Sequence, residues 1–433
     1  MLRVHTTSLG CPKNRVDSER LLGALGRNAV PVPSQAEADL VLINTCAFIE
    51  PAVREAVRTV LETAETLRGV DPRPVLAVAG CLVSRFGARE LARGLPEVDL
   101  WLSTRELDEW PGRAAEVLGR RGFAAPLARR LSTGPAFAYL KISEGCSQRC
   151  RFCTIPAIRG PHRSRTPDSL SAEARELLDQ GVRELVLVGQ NVTAYGSDLG
   201  PQGTRGLEDL LARLLPLAGL SWLRLMYLYP AGVTPRLLSF LARAGEKMLP
   251  YFDVPVQHAH PFVLERMGRP FARDPGAVVS RIRERFPQAA LRTSLIVGFP
   301  GETEARFRGL ARFVERTRFD HLGVFPFHAE EGTAAASLPG RVHPSTKRRR
   351  LRAIMELQAA ISAAKLAGRV GERLDILVER EHPEWPGLFV GRAWFQAPEV
   401  DGVVYVSGPG VAAGSIVPAE VVEATTYDLV ALT

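Results

Sequence analysis

The sequence predicts an α/β protein in three parts: an open parallel α/β sheet, a central (β/α) barrel and a small antiparallel β-barrel. Three observations predict it. Apolar strand runs alternate with helical patterns over residues 1–125. Six further strand–helix units follow between about residues 136 and 344. From Val370 the pattern changes to short β runs broken by Pro and Gly. The parts read as residues 1–125, 132–366 and 367–433.

In the first part, Leu2–Thr7 is a short strand leading to Ser8-Leu-Gly-Cys11. Asp39–Asn44 is an apolar strand leading to Thr45-Cys46, and Pro74–Ala79 another leading to Gly80-Cys81. Helical patterns cover Asp17–Arg27, Ala52–Leu67 and Arg85–Arg93. Apolar strands separated by helices argue for a parallel sheet. Each cysteine follows the carboxyl end of its strand, the edge at which open parallel sheets bind ligands. Cys11, Cys46 and Cys81, each thirty-five positions from the next, therefore converge on one rim. The alternative is three buried core cysteines.

Gly119–Pro135 reads as a linker. The second part has candidate strands at Ala136–Ile142, Glu184–Gly189, Leu220–Leu225, Tyr251–Val254, Leu291–Val297 and His321–Phe325. Helical segments such as Ser171–Gln180, Leu207–Leu217, Pro235–Arg243, Pro275–Phe286 and Glu302–Arg316 separate them. Such a series predicts a partial or full parallel barrel with its site at the strand carboxyl ends. The helix Pro344–Leu366 carries Lys347-Arg-Arg-Arg350, either a polyanion contact or a solvated face. In the tail, Asp375–Val378, Phe389–Trp394, Gly402–Val406, Ser415–Val417 and Glu420–Ala424 fit a five-stranded antiparallel barrel.

Bulk properties narrow the class. Of 433 residues, 46% are apolar and 24% charged, as in ordinary globular proteins. No apolar run is long enough to span a bilayer, and the N-terminus lacks the apolar core of a signal peptide. The expectation is a cytoplasmic protein, where thiols stay reduced, with no membrane contact and a monomeric state. The net charge of +8 hides a split. Residues 367–433 hold four arginines against seven glutamates and three aspartates, a net −6, which leaves +14 for the rest.

The six cysteines form two sets of three. Cys146, Cys150 and Cys153 make C-x3-C-x2-C. Structural zinc takes a closed set of four ligands, and disulfides take pairs. A cubane cluster has four irons, so three thiolates leave one iron open. Two triads point to two [4Fe–4S] clusters. In the Cys146–Cys153 loop, the open iron suits an amine and carboxylate, the chelate that S-adenosylmethionine (SAM) offers. Electron transfer would then cleave the sulfonium bond and release a carbon radical. Phe152, just before the last cysteine, is placed to cover an adenine ring. A zinc site is the alternative, and its fourth ligand is missing.

This loop resembles the radical-SAM superfamily, whose signature is this spacing with an aromatic residue at that place. By that resemblance, Val188-Gly-Gln-Asn191 and Ile296–Glu302 stand where backbone meets the methionine and adenosine portions of SAM. Gly189, Gln190 and Gly298 become candidate SAM contacts; alone, each segment is a tight turn before a helix. His258 and His260 read either as acid–base groups lining the pocket or as packed histidines.

Over essentially its whole length the chain resembles the methylthiotransferases. The residues that carry this are Ser8-Leu-Gly-Cys11-Pro-Lys-Asn14, Asn44-Thr-Cys46, Gly80-Cys81, Ile155-Pro-Ala-Ile-Arg-Gly-Pro-His-Arg-Ser-Arg165, Gly189-Gln-Asn-Val192 and the terminal small barrel. The resemblance implies an N-terminal methylthiotransferase domain with a second cluster on Cys11, Cys46 and Cys81, a radical-SAM core and a C-terminal TRAM domain. It implies that one SAM methylates a sulfur species at the N-terminal cluster. A second SAM, reduced at the other cluster, yields a 5′-deoxyadenosyl radical that takes a substrate hydrogen, and the substrate radical captures the methylthio group. An electron donor and a sulfur donor follow as partners, and no catalytic side chain is expected beyond the clusters.

The family divides by substrate. Cys11-Pro-Lys-Asn14 and Ala397–Gly402 resemble the branch that modifies the β-carbon of an aspartate in small-subunit ribosomal protein uS12. The other branch modifies a tRNA adenosine and is the alternative. A small barrel that grips RNA should be basic. An acidic one repels RNA and attracts an arginine- and lysine-rich protein. The expected function is a sulfur-transferring enzyme acting on uS12, free or within the small ribosomal subunit. A non-catalytic iron–sulfur or zinc RNA-binding module is the reading from another class.

Overall fold

A computed structural model describes residues 1–27, 29–120, 122–123, 129–200, 206–269 and 274–433. The chain forms two compact units. One is Met1–Ser132 with Glu144–Gln148 and Cys153–His162; the other is Thr133–Ser143, Arg149–Phe152 and Arg163–Thr433.

The first unit is built on a parallel sheet of β1 (Leu2–Ser8), β2 (Ala29–Pro31), β3 (Leu40–Thr45), β4 (Val75–Gly80) and β5 (Leu100–Ser103), in the order β2-β1-β3-β4-β5. Strand side chains alternate between faces. Val41, Ile43 and Val78 pack under Ala56, Val60 and Leu67 of helix Glu50–Leu67. Leu40, Leu42, Ala77 and Ala79 pack with Leu21 and Leu22 of helix Pro12–Ala24 and Trp110 and Ala114 of helix Trp110–Val117. Both faces are buried, so β3 is apolar throughout except at its carboxyl end. The sequence showed three of these strands. β2 and β5 have three and four residues, too few for a periodic signal.

Part of the expected linker, residues 121 and 124–128, lies outside the described residues. Its far end is pinned. Buried Arg129 donates through Nε to Glu19 Oε2 at 2.7 Å, and Ser132 N–H donates to Glu19 Oε1 at 2.8 Å.

The second unit has six parallel strands of three to eight residues, β6 (Phe137–Lys141), β9 (Glu184–Val188), β10 (Trp222–Leu225), β11 (Tyr251–Asp253), β12 (Ala290–Val297) and β13 (His321–Pro326); the two-residue strands β7 (Ser143–Glu144) and β8 (Arg163–Ser164) flank the cysteine loop in the chain. They form two three-stranded sheets, β10-β9-β6 and β11-β12-β13, that meet at a bridge between Leu223 and Met248. No ladder joins β6 to β13 among the described residues, so the barrel is partial.

The tail closes into a barrel of β14 (Arg373–Glu381), β15 (Phe389–Arg392), β16 (Val404–Ser407), β18 (Leu429–Leu432) and β17 (Ile416–Ala424). The strand count matches the expectation, but the assignment differs. Ile416, Val417 and Glu420–Ala424 belong to one strand, β17, in which Pro418 faces outward and breaks only the sequence pattern. The fifth strand is β18.

The segment between β15 and β16 plugs the amino-terminal end of the half-barrel. Glu184, first in β9, accepts from Arg224 of β10 and Arg392 of β15, each at 2.6 Å. Arg224 also donates to Trp394 O at 2.9 Å. Asp401 accepts from Tyr251 Oη and from Arg292, each at 2.7 Å. His321, first in β13, donates to Phe395 O at 2.7 Å. Isolated buried charges are costly, and these are paired.

Along Lys347–Arg350 of helix Pro344–Ala367 the expected solvated face holds for Arg348 and Arg349, which are exposed, while Lys347 and Arg350 turn inward. Arg350 is buried against Glu302 at 2.8 Å, Arg349 pairs with Glu304 at 2.9 Å, and Lys347 donates to Phe327 O at 2.6 Å. No described helix is long and apolar enough to cross a membrane.

Candidate functional site

In the first unit, β1, β3 and β4 are neighbours, and Ser8, Asn44 and Ala79 lie side by side at their ends. Cys11, Cys46 and Cys81 follow within three residues, on one rim as predicted. Cys11 caps helix Pro12–Ala24, and Cys81 begins helix Cys81–Phe86. Asn14 ties the rim together. Its Oδ1 lies 3.3 Å from Cys11 Sγ and 4.0 Å from Cys81 Sγ, and its Nδ2 donates to Asn44 Oδ1 at 3.0 Å and Thr45 O at 2.8 Å. Gly10 has φ +103°, and a Cβ there would sit 2.7 Å from Cys46 Cβ. We expect Gly10→Ala to displace Cys46 and strip iron from this triad, while SAM cleavage continues. Iron assay beside 5′-deoxyadenosine quantitation checks it.

A buried cation stands at this rim. Arg159 Nε donates to Cys81 Sγ at 3.3 Å, and its other nitrogens reach Asn14 Oδ1 and Glu144 Oε1, both at 2.8 Å, and Asp17 Oδ2 at 3.4 Å. Burial pushes the Cys46 thiol up to about 12. Burial also raises Cys81, against the pull of Arg159. Cys11 ends below the ordinary thiol value, because Lys13 and Arg159 outweigh its burial. A metal held by this triad would displace protons from Cys46 and Cys81.

The second triad spans the irregular segment between β7 and helix Ile155–Arg159. Gly145 has φ +73°, and a Cβ there would lie 2.1 Å from Pro161 O, so only glycine admits the close return of the chain. Cys146 N–H donates to Gly160 O at 3.1 Å. Within the second unit, Arg151 N–H donates to Met267 O at 3.0 Å and Ala335 N–H to Arg151 O at 2.8 Å. Arg269 Nη1 donates to Cys150 Sγ at 3.2 Å. Phe152 packs against Val263, Leu264, Met267, Phe299, Phe327 and Ala335.

The glycines expected near SAM end their strands. Gly189 follows β9, and a Cβ there would lie 2.6 Å from Ser143 Oγ, a buried hydroxyl without a hydrogen-bond partner. That orphan donor and the glycine cradle suit a polar ligand, and Gln190 adjoins them. Gly298 follows β12 with φ +74°. Its N–H donates to Glu302 Oε2 at 2.8 Å, and a Cβ would collide with Lys347 Cγ at 2.3 Å. His258 is fully buried, with Nε2 3.5 Å from Glu302 Oε2, and His260 caps helix Pro261–Arg266. His258 is thus packed in the interior, whereas His260 is partly exposed and accepts from Phe262 N–H.

Among the described residues, no group of three or more His, Cys, Asp or Glu side chains is gathered tightly enough to hold a metal ion as it stands. Each triad offers three thiols, one of which faces a guanidinium, and that donor set fits a cluster held by three thiolates.

Sequence reading missed Arg159, Arg269, Ser143 and the Glu184 and Asp401 networks. One signal was present: Glu184 and Arg224 stand in strands that are otherwise apolar, and such charges are buried only when paired.

The Radical SAM superfamily matches residues 140–314, the uncharacterized protein family UPF0004 residues 3–103, and the TRAM domain residues 370–433. Among solved structures, the radical S-adenosylmethionine methyltransferase TsrM from Kitasatospora setae, with cobalamin and a [4Fe–4S] cluster, superposes with a TM-score of 0.55 at 16% identity, over 92% of this chain and 82% of that one. That likeness concerns the fold alone. Fold and site together thus define a radical-SAM enzyme with a TRAM domain. Ribosomal protein uS12 methylthiotransferase RimO of Nitratidesulfovibrio vulgaris (strain DP4) is 59% identical over 432 residues, all of both chains. The same-named protein of Lawsonia intracellularis is 50% identical over 431 residues, covering 100% of this chain and 98% of its own. The chain belongs to the RimO methylthiotransferase family.

Proposed function

We propose that this enzyme replaces a hydrogen on the β-carbon of an aspartate of ribosomal protein uS12 by a methylthio group, using two SAM per turnover. The observation that carries this reading is 59% identity along the full length of a RimO protein. Cys146, Cys150 and Cys153 would hold one [4Fe–4S] cluster and the SAM beside it, and Cys11, Cys46 and Cys81 the second. When bound, these groups supply one-electron cleavage of SAM and the sulfur that is transferred.

The chain's own residues do the rest. Asn14 and Asn44 tie the helix that follows Cys11 to the end of β3. Arg159, held by Asp17 and Glu144, supplies a fixed positive charge at that rim. Ser143 offers its hydroxyl beside Gly189 and Gln190, where the amino-acid part of SAM would lie. Phe152 stands beside the Gly298 turn, on the adenosine side. We read residues 1–125, 132–366 and 367–433 as the functional division: sulfur carrier, radical generator and recognition barrel.

The barrel's net −6 supports a basic protein substrate over tRNA. The partners are uS12, free or in the small subunit, an electron donor and a sulfur donor; the setting is the cytoplasm and the state a monomer. Co-expression followed by mass spectrometry of uS12 and of tRNA nucleosides tests the reading. The expected result is uS12 heavier by SCH3 in place of H. A methylthio nucleoside with unmodified uS12 overturns it.

A further inference from the structure

We infer that Arg269 and Arg159 are positioning residues that set the reduction potentials of the two clusters, one arginine to each triad. The inference rests on the reading that each triad holds a cluster. Its basis is a contact that recurs in two unrelated places. In the second unit, Arg269 Nη1 donates to Cys150 Sγ at 3.2 Å while Nη2 donates to Pro255 O at 2.5 Å. Its guanidinium also lies 4.6 Å from the centre of the Tyr229 ring, and the residue is only 6% exposed. In the first unit, Arg159 Nε donates to Cys81 Sγ at 3.3 Å, and its side chain is 1% exposed. Each triad therefore has one thiol that faces a buried guanidinium.

The local backbone is built to keep Arg269 there. Helix Pro261–Arg266 ends at Met267, whose carbonyl accepts from Arg151 N–H at 3.0 Å. Gly268 follows with φ +73°, and a Cβ there would lie 2.9 Å from Arg149 O. The turn is thus laid directly against the segment Arg149–Phe152 that carries Cys150, and Arg269 is its next residue. Arg159 is fixed differently, by Asn14, Asp17 and Glu144.

The physical consequence has a definite sign. Reducing a cluster by one electron adds negative charge to the cluster and its thiolates. N–H···S hydrogen bonds and a permanent positive charge stabilise that added charge and raise the potential. Arginine cannot discharge by losing its proton. Removing it leaves the cluster harder to reduce, even when all three thiolates remain.

The test is an anaerobic reductive titration of the reconstituted full-length protein, following the EPR signal of reduced clusters, with iron measured on every sample. The parent should show two one-electron waves, one missing in Cys150→Ala and the other in Cys46→Ala. In Arg269→Gln the first wave should fall by a tenfold or larger change in equilibrium constant, about 59 mV, while the second stays. Arg159→Gln should do the reverse. Arg269→Lys keeps the charge and should recover part of the shift. Unmoved waves in both glutamine variants, with iron intact, overturn the inference. So does iron loss in Arg269→Gln and Arg269→Lys alike, because the arginine would then retain the cluster rather than tune it. A parent with one wave and no more than about four irons per chain instead overturns the two-cluster reading, and is recognised before any arginine is changed.

Discussion

Cys46→Ala should retain SAM cleavage, lose about half of the iron, and transfer no methylthio group to uS12. Cys46 follows the end of β3, flanked on the rim by Cys11 and Cys81 in the first unit. Burial pushes its thiol up to about 12. Cys150→Ala should do the opposite and reduce 5′-deoxyadenosine formation to background. The pair of variants separates radical generation from sulfur delivery. Liquid chromatography of SAM products and mass spectrometry of uS12, run on the same samples, check both. Methylthio transfer at parental rate by Cys46→Ala would remove the auxiliary role from the first triad.

Glu184→Ala should destabilise the second unit by about 3–5 kcal/mol, the cost of leaving buried charge unpaired. Glu184 is fully buried and holds two buried guanidiniums, Arg224 and Arg392. Truncation leaves Arg224 with Trp394 O and the Tyr251 ring, and Arg392 with Glu379 and Gln396 O. Chemical denaturation followed by tryptophan fluorescence reads the loss; a change under about 1 kcal/mol would show the network to be peripheral. The network also gives stability an acid limb. Burial raises Glu184 and Asp401, but the arginines around Glu184, and His321 and Arg292 beside Asp401, bring both below the ordinary carboxylate range. A depressed carboxylate contributes stability above its unfolded value, about 4, and loses it as pH falls through its folded value. Glu184→Gln should flatten that limb. The same contacts mean that deleting residues 367–433 removes Arg392 and Asp401 from the core, so it does not isolate substrate capture. Substitutions on the outer face of the barrel do.

The sequence revealed what periodicity and residue chemistry record. β3 and β4 were legible because both faces of that sheet are covered, which makes the strands apolar runs. The convergence of Cys11, Cys46 and Cys81 was legible because each follows the carboxyl end of a parallel strand. What stayed hidden depends on contacts distant in the chain. Arg159 reaches Cys81 across 78 positions and Arg269 reaches Cys150 across 119, and arginine is abundant enough to conceal both. Ala397–Gly402 carried a family resemblance, yet only the fold shows Asp401 closing on Tyr251 and Arg292. The basic run at Lys347–Arg350 suggested a charged surface, whereas Arg350 pairs inward with Glu302. Charge alone does not say which way a side chain turns.

Iron content decides the central claim most directly. Anaerobically reconstituted protein should carry about eight irons per chain, arranged as two cubes on two sets of three thiolates. Preparations that never exceed about four would contradict the account, whatever their activity.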